Sequence, residues 1–141
     1  MRIMAIDYGD AHTGIAISDP TGFLAGFTTT INAYRPEAVA EQIAQLAAQH
    51  GAEELVLGHP KNMDGTRGPR AEKAEAMADM LRQVTGLPVV LWDERRTTID
   101  AHQILFNSGK NAKKRKKTVD AVAASLILEG YLTYKKSHPN G

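Results

Sequence analysis

The sequence predicts an α/β fold built on a mixed sheet of five strands. Three observations predict it. Short runs with strand character recur five times along the chain, four of them ending at glycine, aspartate or proline. Three of them precede any helical pattern, and the other two alternate with stretches of helical spacing. A meander of three antiparallel strands followed by helical crossovers makes the first, fourth and fifth strands parallel neighbours.

Each element has its own signal. Arg2-Ile-Met-Ala-Ile-Asp7 is almost wholly apolar and stops at Gly9, the pattern of a strand buried on both faces. Gly14 to Ser18 alternates weakly and ends at the turn signal Asp19-Pro-Thr-Gly22. Phe23 to Ile31 reads as a third strand. Pro36 opens a helix with Val39, Ile43, Leu46 and Ala47 on one face, closed by His50-Gly51. Glu54 to Gly58 is the next strand, ended by Pro60. A loop with Asn62-Met-Asp-Gly65 and Gly68-Pro69 leads into a second helix, with Ala74, Met77, Leu81 and Val84 inward and Gly86 at its end. Leu87 to Trp92 is the fifth strand. Thr97-Thr-Ile-Asp100 has the form of a capping box for a short helix through about Phe106. After a basic loop, Thr118 is expected to cap a last helix with Val119, Val122, Ala123, Leu126 and Ile127 inward.

A chain of 141 residues fits one domain, 1–141, large enough for a hydrophobic core of its own. The 43% hydrophobic and 23% charged residues suit a globular protein rather than a disordered one. There is no cysteine, which excludes disulfides and thiolate metal sites and fits a reducing compartment. Asp7 and Asp10 interrupt the first apolar run, so no signal peptide is expected. No run approaches the ~18 apolar residues of a membrane span. A cytoplasmic protein without a membrane partner is the expectation.

The net charge of +1 conceals an asymmetry. Residues 1–109 hold nine Lys/Arg against fourteen Asp/Glu, and residues 110–141 hold eight against two. Most of the excess lies in Lys110-Asn-Ala-Lys-Lys-Arg-Lys-Lys117. Clustered cations attract phosphates and release their counterions, so a polyanionic partner is suggested. A solvated loop or the basic flank of a helix is the plainer alternative.

Three carboxylates are the candidates for chemistry. Asp7 ends the first strand shortly before Gly9, with Gly14 opening the next, at the rim where α/β proteins place ligands, although it could simply cap the turn. Asp93-Glu94-Arg95 follows the fifth strand; if that strand is parallel to the first, Glu94 lies on the same rim, unless it only pairs with Arg95 or Arg96. Asp120 falls in the expected first turn of the last helix, where the helix dipole alone would favour an acid. Clustered carboxylates repel one another and trap hard cations such as Mg²⁺ or Mn²⁺. Two such ions ~4 Å apart can activate a water and stabilise a leaving oxygen in phosphodiester cleavage.

A second notable segment is Gly58-His-Pro-Lys-Asn-Met-Asp-Gly-Thr-Arg-Gly68, whose glycines and following helix could form an anion-binding concavity. It lacks the Gly-Lys-Ser/Thr ending of a P-loop, and a plain surface connection is the alternative. Lys61, Arg67 and Arg70 could add phosphate contacts there. The five histidines have no ligand spacing; His50, His102 and His138 read as surface residues, and His12 and His59 as possible substrate contacts.

Together, Asp7-Tyr-Gly-Asp-Ala-His-Thr-Gly-Ile-Ala-Ile-Ser18, Gly58-His-Pro-Lys-Asn-Met-Asp-Gly65, Asp93-Glu-Arg-Arg-Thr-Thr98 and Asp120-Ala-Val-Ala-Ala-Ser-Leu-Ile-Leu128 resemble the YqgF (RuvX) family. Four motifs in the right order span nearly the whole chain. Members are described as Holliday junction resolvases and as nucleases that mature the 5′ end of pre-16S ribosomal RNA. The resemblance implies a ribonuclease H-like fold, a five-stranded mixed sheet with its first three strands antiparallel and helices flanking it. It also implies that Asp7, Glu94 and Asp120 form the acidic site, as catalytic groups and as ligands of Mg²⁺ or Mn²⁺. One departure is His12, where the family often has Arg or Lys; an imidazole contacts phosphate less strongly and in a pH-dependent way.

The expectation is therefore a divalent-metal nuclease acting on structured nucleic acid, with pre-ribosomal RNA favoured and ribosomal particles as a possible setting. His12, Lys61, Arg67, Arg70, Arg95, Lys113, Lys114, Arg115 and Lys116 are the expected substrate contacts. Asp93 is the alternative to Glu94 as a ligand. The competing readings are cleavage of branched DNA, which usually needs a dimer, and a nucleic-acid- or ribosome-binding module without catalysis. The sequence has no clear dimer face, so a monomer or weak dimer is expected. An actin-like sugar kinase or ATPase, suggested by Asp-x-Gly and Thr-Gly in the first motif, would need a much longer chain.

Overall fold

The apolar runs of the sequence become β1 (Arg2–Asp7), β2 (His12–Ser18), β3 (Ala25–Asn32), β4 (Ala52–His59) and β5 (Val89–Asp93). The helical stretches become α1 (Pro36–His50), α2 (Pro69–Thr85) and α3 (Ala112–Ser137). The computed structural model describes residues 2–19, 25–59, 68–93 and 112–137, and within α3 the side chains of 123–135. The expected capping box at Thr97 and its short helix lie outside the described residues.

The five strands form one sheet in the order β3-β2-β1-β4-β5. β1 pairs antiparallel with β2, and β2 with β3. β1 pairs parallel with β4, and β4 with β5. This is the topology the crossovers predict. Central β1 has hydrogen-bonded neighbours on both sides and helices over both faces, so Ile3 to Ile6 are all at most 2% exposed. That double cover is why the strand is a continuous apolar run instead of an alternating one.

Alternation along the strands divides the core in two. Met4, Ile6, Ile15, Ile17, Leu55 and Leu57 face α1 and α2, packing on Val39, Ile43, Met77 and Leu81. Ile3, Ala5, Ala16, Val56 and Trp92 face α3, packing on Ala124, Ile127, Leu128 and Tyr131. Strand boundaries shift by a residue or two from expectation. β2 starts at His12 instead of Gly14, and β5 at Val89 instead of Leu87. Pro88 has no N–H for the ladder, and its carbonyl instead accepts from Leu55 N at 2.9 Å.

Helices α1 and α2 begin and end as their sequences indicate. Each has proline in its first turn and a glycine beyond its end, Gly51 at φ 68° and Gly86 at φ 69°. A side chain in that left-handed conformation would cost about 1–2 kcal/mol. One expectation for α2 fails. Val84 is 51% exposed, because the buried stripe is Ala71, Ala74, Met77, Ala78 and Leu81, and Val84 falls on its flank.

The last helix differs more. Where a basic loop capped by Thr118 is expected, the described residues are helical from Ala112, and Lys113 to Lys117 lie within α3. Alanine, lysine and arginine are strong helix formers, and no glycine or proline intervenes before Gly130. The inward stripe is also turned by about one residue, with Ala124, Ile127, Leu128, Tyr131 and Leu132 buried while Ala123 and Leu126 are only half-buried. At its far end α3 is pinned to the start of β4. The Tyr131 hydroxyl donates to Glu54 Oε1, and Lys135 Nζ donates to Glu54 Oε2 at 3.1 Å.

Candidate active site

Parallel β1, β4 and β5 end at one edge of the sheet, and antiparallel β2 begins there. Asp7 closes β1 opposite Gly14 of β2. It is half-buried, and alternation with Ile3 and Ala5 puts it on the α3 face. Gly14, buried opposite it, adds no side chain beside the carboxylate. The turn to β2 depends on another glycine, since a Cβ at Gly9 would collide with the His12 carbonyl oxygen.

His12, the first residue of β2, lies on the same edge and shares the parity of Gly14 and Ala16, hence the face of Asp7. Its Nδ1 is 2.7 Å from Asn32 Oδ1 on the neighbouring strand. Because an amide oxygen only accepts, Nδ1–H is the donor. Thr13, next along, turns to the opposite face; its Oγ1 is buried without a hydrogen-bond partner among the described residues.

β4 and β5 finish in register, His59 beside Asp93. Both fall on the α2 face, with Leu57 and Leu91. His59 Nε2 lies 2.7 Å from Glu75 Oε2 of α2, a half-buried pair tying the end of β4 to that helix. Asp93 is thus on the face opposite Asp7, whereas Val90 and Trp92 are on the α3 face. Glu94 and Arg95 lie outside the described residues.

α3 supplies the remaining position. From Tyr131, bonded to Glu54 at the start of β4, back to position 120 is ~16 Å of helix. From Ile3, the β1 partner of Glu54, to Asp7 is ~13 Å of strand. α3 is therefore long enough to carry position 120 to the level of Asp7. Positions 120, 124, 127 and 131 share one helical stripe, and the last three are buried against the sheet. Asp120 is the ninth residue of α3, and the first turn holds no acid, so stabilisation of the helix start by the dipole, the expected alternative role, does not apply.

Among the expected substrate contacts, Arg70 is exposed in the first turn of α2 and Lys113, Lys114, Arg115 and Lys116 lie in the first turns of α3. Lys61 and Arg67 lie outside the described residues. Among the described residues no three His, Cys, Asp or Glu side chains converge to hold a metal ion; of the three candidate carboxylates, only that of Asp7 is described. Sequence reading missed the His59–Glu75 pair and an ion pair of 3.1 Å between Lys73 Nζ and Asp10. No local pattern links residues 16 or 63 positions apart. Among the described residues no helix is long and apolar enough to cross a membrane.

The comparisons with known proteins agree with this architecture. The family model described as "RuvX: Holliday junction resolvase" matches residues 1–134. A protein of Halothermothrix orenii named "Putative pre-16S rRNA nuclease" is 46% identical over 135 residues, 96% of each chain. A solved structure, Thermus thermophilus RuvC in complex with a Holliday junction substrate, superposes with a TM-score of 0.64 at 13% identity, covering 97% of this chain and 96% of that one. The fold is accordingly ribonuclease H-like, as the motifs imply. A ROK family protein from Streptococcus pneumoniae shares the fold over 72% of this chain but only 37% of its own, with a TM-score of 0.52 and 18% identity.

Proposed function

The chain belongs to the RuvX family, and from that premise we propose that it is a divalent-metal-dependent nuclease hydrolysing phosphodiester bonds in structured nucleic acid, with the 5′ end of pre-16S ribosomal RNA as substrate. The observation that carries the reading is the placement of Asp7. It is a half-buried carboxylate at the C-terminal end of the central strand, paired with Gly14 and on the sheet face that α3 covers.

The donor set fits a hard cation. Asp7, Glu94 and Asp120 offer only carboxylate oxygens, which suit Mg²⁺ or Mn²⁺. The position of Asp93 on the α2 face, opposite Asp7, supports Glu94 over Asp93 as the second ligand. Bound there, two such ions would supply an activated water and stabilise the departing oxygen. The chain's own groups hold the substrate. Arg70 and Lys113 to Lys116, together with Lys61, Arg67 and Arg95, neutralise backbone phosphates, and His12 contacts the substrate at the rim. The cytoplasm is its compartment, and it acts as a monomer or weak dimer.

The test is incubation of the purified protein with Mn²⁺ and either a pre-16S ribosomal RNA fragment or a four-way DNA junction, followed by mapping of the products. Asp7→Asn is expected to lower cleavage of the RNA by about a hundredfold or more while leaving circular dichroism and nucleic-acid binding unchanged. Equal cleavage by Asp7→Asn would rule out the site. Symmetric cutting of the junction alone would favour the second reading, a resolvase, which the family description and the likeness to RuvC support.

A further inference from the structure

The face of the sheet opposite Asp7 has a concavity at the same edge. Tyr8, Asp10, Tyr34, Lys73, Met77 and Met80 line an open cleft of about 270 Å³ between the β1–β2 turn, the β3–α1 loop and α2. Tyr8 directly follows Asp7 and packs against the α1/α2 core. Tyr34 is 81% exposed, the most exposed large hydrophobic residue among those described. Asp10 and Lys73 close one wall through their ion pair, and Glu37 in the first turn of α1 stands at the other.

This lining has a specific chemistry. Two phenol rings offer flat faces for a planar π system, and two thioethers make an adaptable apolar floor. The carboxylates of Asp10 and Glu37 can accept from exocyclic amino groups, and the Lys73 ammonium can donate to a ring carbonyl or a phosphate. Consecutive residues of a strand point to opposite faces, so Asp7 and Tyr8 put the carboxylate and the cleft on the two sides of one rim. A nucleic-acid strand crossing that rim reaches both.

We propose that this cleft binds one unpaired nucleobase of the RNA substrate, flanking the nucleotide whose phosphate reaches Asp7. A base within a duplex is stacked on both faces and cannot enter, so the cleft selects a single-stranded segment beside the structured part. The inference rests on the nuclease reading for the identity of the strand, but base binding is measurable without cleavage.

The experiment uses an RNA hairpin with an unpaired tail containing 2-aminopurine, and a blunt hairpin of the same stem, both in EDTA. Wild-type protein is expected to change the 2-aminopurine emission and to bind the tailed hairpin about 5- to 100-fold more tightly than the blunt one. In Tyr34→Ala that preference should collapse towards one, whereas Tyr34→Phe, which keeps the ring, should retain it. Tyr34 is exposed in a loop, and circular dichroism verifies that the variants fold. Unaltered emission with wild type, or a preference that survives Tyr34→Ala, would overturn the proposal. Cleavage by wild type with Mn²⁺ judges the nuclease reading separately, so either can fail while the other stands.

Discussion

Glu54 is a carboxylate with a side chain only 12% exposed, far from the candidate catalytic edge. Such a group is tolerable because the Tyr131 hydroxyl and the Lys135 ammonium both donate to it. The arrangement raises the Tyr131 pKa above its ordinary value of 10, first through burial and then through the hydrogen bond to Glu54. The folded state therefore holds the phenolic proton more tightly than the unfolded chain does. The resulting stability is complete below about pH 10, where unfolded tyrosine is still neutral, and is lost as pH rises beyond it. Tyr131→Phe should lower stability by about 1–2 kcal/mol at neutral pH and make the alkaline loss shallower than in wild type. Urea midpoints over a pH series measure both effects, and parallel alkaline slopes would contradict the assignment. None of this was legible in the sequence, where Glu54 and Tyr131 stand 77 positions apart.

The helices differ in how plainly the sequence announced them. α1 and α2 carry proline at one end and glycine at the other, signals that act through one residue's backbone and so survive any tertiary context. α3 has neither at its start, and a run of lysines reads equally well as a solvated loop or a helical turn. Its phase was obscure for a related reason: Val119 to Leu128 is apolar almost all round, broken only by Asp120 and Ser125, so no single stripe stands out. The outcome puts Lys113 to Lys117 in the first turns of a helix, where the dipole disfavours cations and a bound polyanion would offset that cost. Replacing Lys113, Lys114, Arg115 and Lys116 by alanine should flatten the dependence of log K for RNA on log salt, by about 0.7–0.9 for each phosphate no longer neutralised. Helicity should not fall, because alanine is the better helix former. An unchanged salt slope would remove these residues from the interface.

At the scale of the whole molecule, the sheet order was readable because two helical crossovers leave few ways to place parallel strands beside an antiparallel meander. The candidate site was readable only in part. Strand ends brought Asp7 to the rim, but Asp120 entered through the family motifs, since the course of α3 over the sheet is a long-range property that spacing does not encode. If Asp7 helps hold a metal, Mn²⁺ should raise the melting temperature of wild type by mass action, adding about 1.4 kcal/mol per tenfold excess over the dissociation constant. EDTA should reverse the rise, and Asp7→Asn should lack it; an identical rise in both proteins would place the ion elsewhere. Trp92 is the chain's one tryptophan, and it meets the rings of Tyr131 and Tyr134 edge-on at 5.8 Å each. Nature has thus installed a fluorophore at the seam between sheet and α3, and its emission tracks the seating of that helix while far-ultraviolet dichroism tracks the rest. Comparing the two signals during unfolding gives the order in which the layers part.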